Sequence, residues 1–384
     1  MGSLLASGTG APFSTRLGPL LAGEKTGAVL AKGLPMSLGP GREPGRRSEH
    51  VPVMVDQVVE LLSPVPAGVV LDATVGGGGH ARACLQARSD LEVVGLDRDP
   101  SAVWAASQAL AEFGPRARVV QERFDHLGPV LDRLGVGLLS GALFDLGVSS
   151  PQLDEPARGF SYRLDGPLDM RMDPSQELSA ATVVNQWGAE ELAELFRDHG
   201  EARFAWRIAA GVVAARPIST TAELARVVER AVPPAARRPG HPAKRVFQAL
   251  RAVVNQELEV LPVALDAAID RLRPGGRLVA ISYHSGEDRT VKDRLRYAST
   301  GGCSCPPGLP CACGAVPRVR LLRRGALKAS AQEVALNPRA RSARLRAAEA
   351  LGAGLGDRRP GSGPGPGLPA GPGRGAEHTE SEDQ

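Results

Sequence analysis

The chain has 384 residues, of which 42% are hydrophobic and 23% are charged, and its formal net charge is +4. This composition allows a packed core and excludes a chain that is disordered throughout. No run of 18 apolar residues occurs, so we expect no membrane-spanning helix. Four of the five cysteines lie close together in the sequence, which argues against a disulfide framework and favours a reduced, cytoplasmic location.

Both ends of the chain have compositions that disfavour folding. Residues 1–48 are rich in Gly, Pro, Ser and Leu without a sustained period, and residues 351–384 are rich in Gly, Pro and Arg before they become acidic. Such segments bury too little apolar surface to offset the entropy of ordering. We therefore predict disordered extensions at 1–48 and 351–384 and a folded part between them.

Short apolar runs alternate with amphipathic stretches in the first half of the folded part. The stretches His80–Ala87 and Ser101–Phe113 have helical spacing. This alternation predicts a parallel sheet with helices on both faces, an α/β fold of the Rossmann-like kind. The predicted strands are Val69–Ala73, Val93–Leu96, Arg118–Val120, Gly141–Leu146 and, much later, Gly276–Ile281.

The pattern becomes helical between residues 151 and 251. We interpret this region as a helical insert in an α/β domain formed by residues 49–150 and 252–350. One apolar stripe then continues from Val246 to Leu261 and predicts a single helix that returns the chain to the sheet. The helices predicted inside the insert are Ala181–Trp187, Glu190–Asp198, Arg203–Ala215 and Thr221–Val232.

A glycine-rich loop, Gly76–Gly79, follows the first predicted strand directly. Glycines at this point let the backbone approach a ligand, and the next helix offers its N-terminal amides. Asp97 ends the second strand, where a carboxylate can accept hydrogen bonds from both hydroxyls of a ribose. The loop therefore predicts a nucleoside cofactor, and by itself it fits NAD as well as S-adenosylmethionine.

Two further polar segments follow strands at the same edge of the predicted sheet. Asp145–Gln152 leaves the fourth strand, and Ile281–Arg289 ends the later one. Open α/β sheets bind ligands at this edge, although Ser149 or Ser150 could instead begin a helix. The candidate catalytic residues in these segments are Asp145, Ser149, Ser150 and His284.

Basic residues are concentrated in two stretches without any acid, Arg230–Gln256 and Arg294–Gln332. Such stretches suit a polyanion such as RNA, although a solvated surface explains them equally well. We assign RNA contact to Lys244, Arg245 and Arg251, with a second choice of Arg339, Arg341 and Arg344.

The cysteine cluster consists of two pairs, Cys303 with Cys305 and Cys311 with Cys313, on either side of a Pro-rich segment. Four thiols can hold zinc in a tetrahedral site. The spacing inside each pair is tighter than is usual for zinc, so we prefer a reduced surface loop stiffened by proline, and no metal is assigned.

The polar segments together resemble the bacterial 16S ribosomal RNA cytosine-N4 methyltransferases, the MraW or RsmH family. The motifs occur in order across the predicted folded part, and the run 166–173 is unusual enough to make the combination specific. The matching segments are His50–Met54, Asp72–His80, Leu96–Pro100, Asp145–Gln152, Arg158–Ser161, Asp165–Asp173, His241–Arg245, Ile281–Ser285 and Asn337–Ser342.

The resemblance implies a class I methyltransferase that uses S-adenosylmethionine and methylates the N4 amino group of one cytidine in the decoding region of 16S ribosomal RNA. It implies 16S ribosomal RNA or the small ribosomal subunit as partner, and it suggests a homodimer. An NAD-dependent oxidoreductase and a catalytically silent RNA-binding protein stay open as alternatives. The cofactor contacts that the resemblance implies are Gly78, Gly79, His80, Asp97, Phe124, Asp145 and Gln152.

Overall fold

Eight strands form one mixed sheet in the computed structural model, which describes residues 52–234, 241–306 and 312–352. The extensions predicted at 1–48 and 351–384 lie outside the described residues, apart from positions 351 and 352. The strands are β1 (Gly68–Asp72), β2 (Leu91–Asp97), β3 (Ala117–Gln121), β4 (Leu139–Asp145), β5 (Leu272–Ser282), β6 (Val319–Leu321), β7 (Leu327–Lys328) and β8 (Arg344–Ala350).

The strand order is β3-β2-β1-β4-β5-β8-β6, and β7 pairs with β8. The first five strands are parallel, which confirms the predicted sheet. β8 runs antiparallel to β5, and β6 and β7 run antiparallel to β8; these three strands were not predicted. The chain leaves β1 toward β2 on one side and returns as β4 on the other. The carboxyl ends of β1 and β4 therefore flank the point where the strand order reverses.

Helices cover both faces of the sheet, and a further group of helices lies between β4 and β5 in the chain. The described helices are α1 (Val55–Leu62), α2 (Gly79–Ala87), α3 (Pro100–Ala109), α4 (Leu127–Arg133), α5 (Ser150–Asp154), α6 (Ala180–Gln186), α7 (Ala189–Asp198), α8 (Ala205–Ala214), α9 (Thr221–Ala231), α10 (Ala243–Val254), α11 (Glu257–Arg271), α12 (Ser285–Thr300) and α13 (Ala331–Leu336).

The two faces of the sheet have separate apolar cores. Successive strand residues point to opposite faces, so Val70 and Leu71 in β1 belong to different cores. The core that contains Leu71 packs against α4, α11 and α12, and the core that contains Val70 packs against α1, α2 and α3. Both faces are buried, which explains why the central strands are apolar almost without interruption.

A third core belongs to the helices between β4 and β5. It is built from residues of α6 to α10 together with Phe160, Leu168, Met170 and Met172. The segment that precedes α6 crosses itself closely, because a Cβ atom on Gly166 would lie 1.9 Å from the carbonyl oxygen of Pro156. Only glycine fits at that crossing, which gives part of the unusual 166–173 motif a structural reason.

The single returning helix predicted from Val246 to Leu261 is wrong. α10 ends at Val254, Gln256 has a left-handed backbone with φ of 52°, and α11 begins at Glu257. The buried side chain of Asn255 accepts a hydrogen bond from the amide of Met172 at 2.9 Å and donates one to the carbonyl of Met170 at 2.8 Å. These long-range bonds fix the break, and the apolar stripe continues across it.

Candidate methyl-donor site

The carboxyl ends of β1 and β4 are joined by hydrogen bonds that bring their loops together. The amide of Ala73 donates to the carbonyl of Leu143 at 2.8 Å, and the amide of Asp145 donates to the hydroxyl of Thr74 at 2.7 Å. The glycine loop after β1 and the polar segment after β4 therefore meet at the point where the strand order reverses, as the sequence predicts.

The glycine loop turns sharply into α2. Gly78 precedes the helix with φ of 83°, a left-handed conformation that disfavours any residue with a Cβ atom. A Cβ atom there would lie 3.3 Å from Leu110 Cγ, whereas one on Gly77 would meet no atom within 4 Å. The loop thus packs tightly on the protein at Gly78 and is open at Gly77, which suits close approach of a ligand.

Asp97 holds the glycine loop from the end of β2. Its carboxylate accepts hydrogen bonds from the amide of Gly76 at 3.0 Å and from the amide of Asp99 at 2.9 Å. Burial raises the pKa of Asp97 to about 6, and the two amide hydrogen bonds oppose that rise. The carboxylate retains lone pairs that can accept hydroxyl protons from a ribose.

Two further carboxylates and a histidine lie beside Asp97. Asp72 is 2% exposed, and burial raises its pKa to about 7, with Asp145 and Asp97 adding to the rise against the effect of His80. His80 Nδ1 lies 3.6 Å from Asp145 Oδ2, and its Nε2 lies 2.9 Å from the carbonyl oxygen of Val53. A concentration of negative charge of this kind favours a cationic ligand.

Tyr283 at the end of β5 was not among the predicted site residues. Its hydroxyl donates to Asp145 Oδ1 at 2.8 Å, and burial together with the Asp145 carboxylate raises the pKa of Tyr283. A Cβ atom on Gly147 would lie 3.2 Å from the Tyr283 ring, so the segment after β4 packs directly on it. An aromatic hydroxyl at the carboxyl end of a parallel strand is the signal that could have identified it.

The segment after β4 is fixed by a capping box. Ser149 precedes α5, its hydroxyl accepts a hydrogen bond from the Gln152 amide, and the Gln152 side chain accepts one from the Ser149 amide. The Gln152 amide group also donates to Asp99 at 2.9 Å, and Arg158 contacts the same carboxylate oxygen at 2.8 Å. Ser150 is buried. Ser149 and Gln152 therefore shape the turn through contacts with the protein itself.

His284 also caps a helix. Its Nδ1 accepts hydrogen bonds from two backbone amides at the start of α12, so the proton of the neutral ring lies on Nε2. Nε2 lies 2.9 Å from Glu287 Oε1. Burial alone would raise the pKa of Glu287, but the adjacent His284 ring and the charge of Arg251 lower it.

Arg251, the third of our first-choice RNA contacts, is held inside the protein. It donates to both carboxylate oxygens of Glu257 at 2.8 and 2.7 Å and lies 3.5 Å from Glu287. Its side chain is 14% exposed. Removing one partner from such a buried group leaves an uncompensated charge. Arg251 therefore has a structural role here, and its assignment to RNA finds no support in the structure.

Phe124 lies after β3, as the sequence places it, and is buried. Its ring packs edge-to-face on Phe144 with centroids 6.0 Å apart, and the Arg98 guanidinium lies 5.8 Å from its centroid. Arg98 in turn donates to the carbonyl of Asn255 at 2.7 Å. Phe124 thus lies between the site and the α10–α11 junction.

The remaining basic candidates differ in their partners. Arg245 pairs with Glu201, Arg339 with Asp154 and Arg344 with Asp288. Lys244 and Arg341 are exposed and form no ion pair with any residue that the structure describes.

A cavity of about 220 Å³ lies beside the acidic site, and several of the residues that line it are basic. Tyr283, His284 and Ser285 form one part of its lining, and Lys328, Arg341 and Arg344 contribute three cationic side chains. A larger cavity of about 380 Å³ lies in the helical region, around Asp169 and Asn185, and none of the predicted site residues lines it. The smaller cavity is the one that adjoins Asp145, through Tyr283.

The cysteine cluster lies in the loop between α12 and β6. The Sγ atoms of Cys303, Cys305 and Cys313 all lie within 4.8 Å of one another, and Cys311 is outside the described residues.

The fold and this site define a class I methyltransferase that depends on S-adenosylmethionine. The parallel order β3-β2-β1-β4-β5 with antiparallel β8 brings the glycine loop and the acids Asp72, Asp97 and Asp145 to the carboxyl edge of the sheet near the switch point. This group of acids suits a cation such as a sulfonium. The residues present therefore fit the cofactor. A family model described as the MraW methylase family matches residues 47–351, and the chain belongs to this family. Membership in this family identifies the cofactor as S-adenosylmethionine, whereas the glycine loop alone fits NAD equally well.

Similar proteins were found among curated sequences and solved structures. The chain is 50% identical over 309 residues to a protein of Heliobacterium modesticaldum named ribosomal RNA small subunit methyltransferase H, covering 79% of this chain and 98% of that one. A protein of Frankia alni with the same name is 54% identical over 310 residues, covering 78% and 94%. The crystal structure of an rRNA methylase from Streptococcus thermophilus is 13% identical, covers 77% of this chain and 95% of that one, and has a TM-score of 0.35.

Within the described residues, none of the helices combines the length and the apolar character needed to cross a membrane.

Proposed function

We propose that this protein transfers a methyl group from S-adenosylmethionine to the N4 amino group of one cytidine in the decoding region of 16S ribosomal RNA, in the cytoplasm. The names of the relatives support the RNA, and the motif resemblance supports the base and the atom. The observation that carries the proposal is the position of Tyr283, which contacts Asp145 in the acidic donor site and also lines the basic cavity beside it.

S-adenosylmethionine, when bound, supplies a methyl group already activated by a positive sulfur. What the protein must add is placement of the amine, because orientation of the two reactants accounts for much of the rate. We assign cofactor binding to Gly78, Gly79, Asp97 and Phe124 directly. His80 and Gln152 act by holding Asp145 and the turn that follows it. The Asp145–Gln152 turn then presents the cytosine amine to the donor.

The amine of cytosine loses a proton when its nitrogen gains the methyl group, so an acceptor is needed nearby. A proton taken up on Ser149 Oγ or His284 Nδ1 would compete with the helix cap that each atom forms. Asp145 can accept one while Tyr283 and His80 keep it in position. We therefore propose Asp145 as the acceptor and retain Ser149, Ser150 and His284 as positioning residues.

RNA contact fits the basic cavity better than the first stretch of basic residues. Lys328, Arg341 and Arg344 come together beside Tyr283. Arg344 pairs with Asp288, as Arg245 and Arg251 pair with acids, whereas Lys328 and Arg341 form no ion pair with a described residue. A phosphate in the cavity would lie next to the site where an unstacked base must enter. We propose that the cavity binds a phosphate of the target strand and that Lys244 contributes at most a peripheral contact.

The proposal is tested by the cytidine modifications of small-subunit RNA from cells with and without the gene. Nucleoside mass spectrometry should show one N4-methylcytidine per small subunit in the parent, none in the deletion strain, and recovery with the intact gene but not with an Asp97→Ala variant. Unchanged N4-methylcytidine in the deletion strain would refute the proposal. Recovery by the variant would favour a silent RNA-binding protein.

A further inference from the structure

The described residues of the loop between α12 and β6 form no apolar core. Of its described residues, none between the buried Ala298 and the buried Val319 is itself buried. A metal ion bound by side chains can order a segment that buries little apolar surface. The only cysteines near it in sequence are the four of the cluster.

Backbone contacts hold together the two ends of this loop, which we call its neck. Gly301 ends α12 in a left-handed conformation, and a Cβ atom on it would lie 2.5 Å from the backbone of Val316. The amide of Arg318 donates to the carbonyl of Ala298 at 2.8 Å, and the amide of Cys303 donates to the carbonyl of Thr300 at 3.2 Å. The two sides of the loop are therefore adjacent just beyond the neck, where Cys303 and Cys313 lie.

Three thiols meet at that point. The Sγ atoms of Cys303, Cys305 and Cys313 lie within 4.8 Å of one another. A disulfide joins only two sulfurs, so it would not account for the convergence of all three. Zinc–sulfur bonds of about 2.3 Å place the sulfurs of a tetrahedral site roughly 3.8 Å apart. The arrangement thus needs adjustments of about 1 Å or less to hold zinc, and the tight spacing of Cys303 and Cys305 does not prevent their side chains from converging.

We propose that Cys303, Cys305 and Cys313 bind a structural Zn²⁺ ion that orders the loop between α12 and β6. Each thiol loses its proton when it binds the metal, so three thiolates carry the ion and three protons are released to solvent. Thiolate ligands and a fourth, tetrahedral position are typical of zinc. The site is separate from the methyl-donor site, and its purpose is to hold the loop beside the β6–β8 edge of the sheet.

The test is metal analysis of the full chain, purified under reducing conditions without chelator. We expect about one zinc per chain in the wild type and in two controls, Ser304→Ala inside the loop and Cys84→Ala outside it. The Cys303→Ser/Cys305→Ser double variant should contain less zinc per chain by a factor of about ten or more. S-adenosylmethionine binding by the double variant, measured by calorimetry, should be unchanged, which separates loss of zinc from loss of the fold.

A second measurement keeps the proposal testable if the double variant does not fold. Titration of the metal-free wild type with Co²⁺ should give the visible absorption of a tetrahedral ion and sulfur-to-metal charge-transfer bands, and Zn²⁺ should displace it. Hydrogen exchange of residues 301–318 should rise when zinc is removed. Wild-type protein that neither contains zinc nor binds Co²⁺, or a double variant that keeps full zinc, would overturn the proposal, as would a disulfide between these cysteines in anaerobically purified protein.

Discussion

Asp97 has one role that the structure shows and a second that we propose. Its carboxylate holds the glycine loop through the amides of Gly76 and Asp99, and the position at the end of β2 is where a ribose would bind. The type and position of this residue could be predicted from the sequence, because a buried run that ends in an acid after a glycine loop is a local pattern. Its hydrogen bonds to the loop could not, since they depend on how β1 and β2 pair.

Replacing Asp97 with Ala should weaken the binding of S-adenosylmethionine by about ten- to hundredfold, because charge-assisted hydrogen bonds to the ribose are lost. Calorimetric titration measures this, with a thermal unfolding curve to show that the variant is folded. Asp90→Ala, which removes an exposed acid paired with Arg88, is the matched control and should bind normally. Equal affinities for the two variants would remove Asp97 from the site.

Asp72 makes stability depend on pH. Its pKa is raised from 3.8 to about 7 by burial, so the folded protein binds a proton more readily than the unfolded chain between these values. The contribution of this group is therefore fully present below about pH 4 and is lost as the pH rises through 7. Asp72→Asn should stabilise the protein more at pH 8 than at pH 5, as measured by thermal unfolding.

Asp56→Asn, which makes the same change at an exposed carboxylate, is the control with which the pH dependence of Asp72→Asn is compared. The carboxamide that replaces the Asp72 carboxylate can still accept the hydrogen bond that the amide of Thr74 donates. A difference between Asp72→Asn and the wild type that is the same at pH 5 and pH 8 would contradict the raised pKa.

The glycine loop and α2 show how an element depends on one backbone conformation. Gly78→Ala should lower the free energy of unfolding by about 1–2 kcal/mol, because the left-handed backbone disfavours a Cβ atom that also approaches Leu110. Gly77→Ala is the matched control, and its Cβ atom meets no neighbour, so it should change stability by less than about 0.5 kcal/mol. Urea unfolding of both variants compares them, and equal losses would show that the loop is not constrained at Gly78.

Elements with a strong local pattern were predicted well, and elements set by distant contacts were not. The buried runs of β1 to β5 have a clear apolar signature. β8 reads Arg-Leu-Arg-Ala-Ala-Glu-Ala, which has little preference for a strand and becomes one by pairing with β5. The break between α10 and α11 is likewise invisible in the apolar stripe, because Asn255 forms the bonds that fix it with residues more than 80 positions away.

The charge distribution of the molecule also differs from what the linear sequence suggests. Several residues of the two basic stretches pair with acids from other parts of the chain, among them Arg245 with Glu201 and Arg294 with Asp266. A run of like charges in the sequence is therefore not a charged patch in space. The cations that do meet, Lys328 and Arg341 among them, come from separate segments that β7 and β8 bring together.

RNA binding should depend on salt through the basic cavity. Replacing Lys328 and Arg341 with Ala should lower the slope of log affinity against log salt by about 1 for each residue. Lys244→Ala, which removes a cation from the first-choice group, should change the slope much less. Fluorescence anisotropy with a small-subunit RNA fragment measures the affinity of the wild type, the double variant and Lys244→Ala across a salt series. If Lys244→Ala changed the slope more than the double variant did, the RNA would bind at the helical region and the basic cavity would be excluded.

Methyl transfer by the purified protein tests the central claim most directly. The enzyme is incubated with S-adenosylmethionine that carries a deuterated methyl group and with unmodified small-subunit RNA, and the digested nucleosides are analysed by mass spectrometry. We expect the label in N4-methylcytidine alone, at one site, and much less of it with the Asp97→Ala variant. Label on ring carbon, on ribose or on another base would contradict the account, as would no transfer to either free RNA or assembled small subunits.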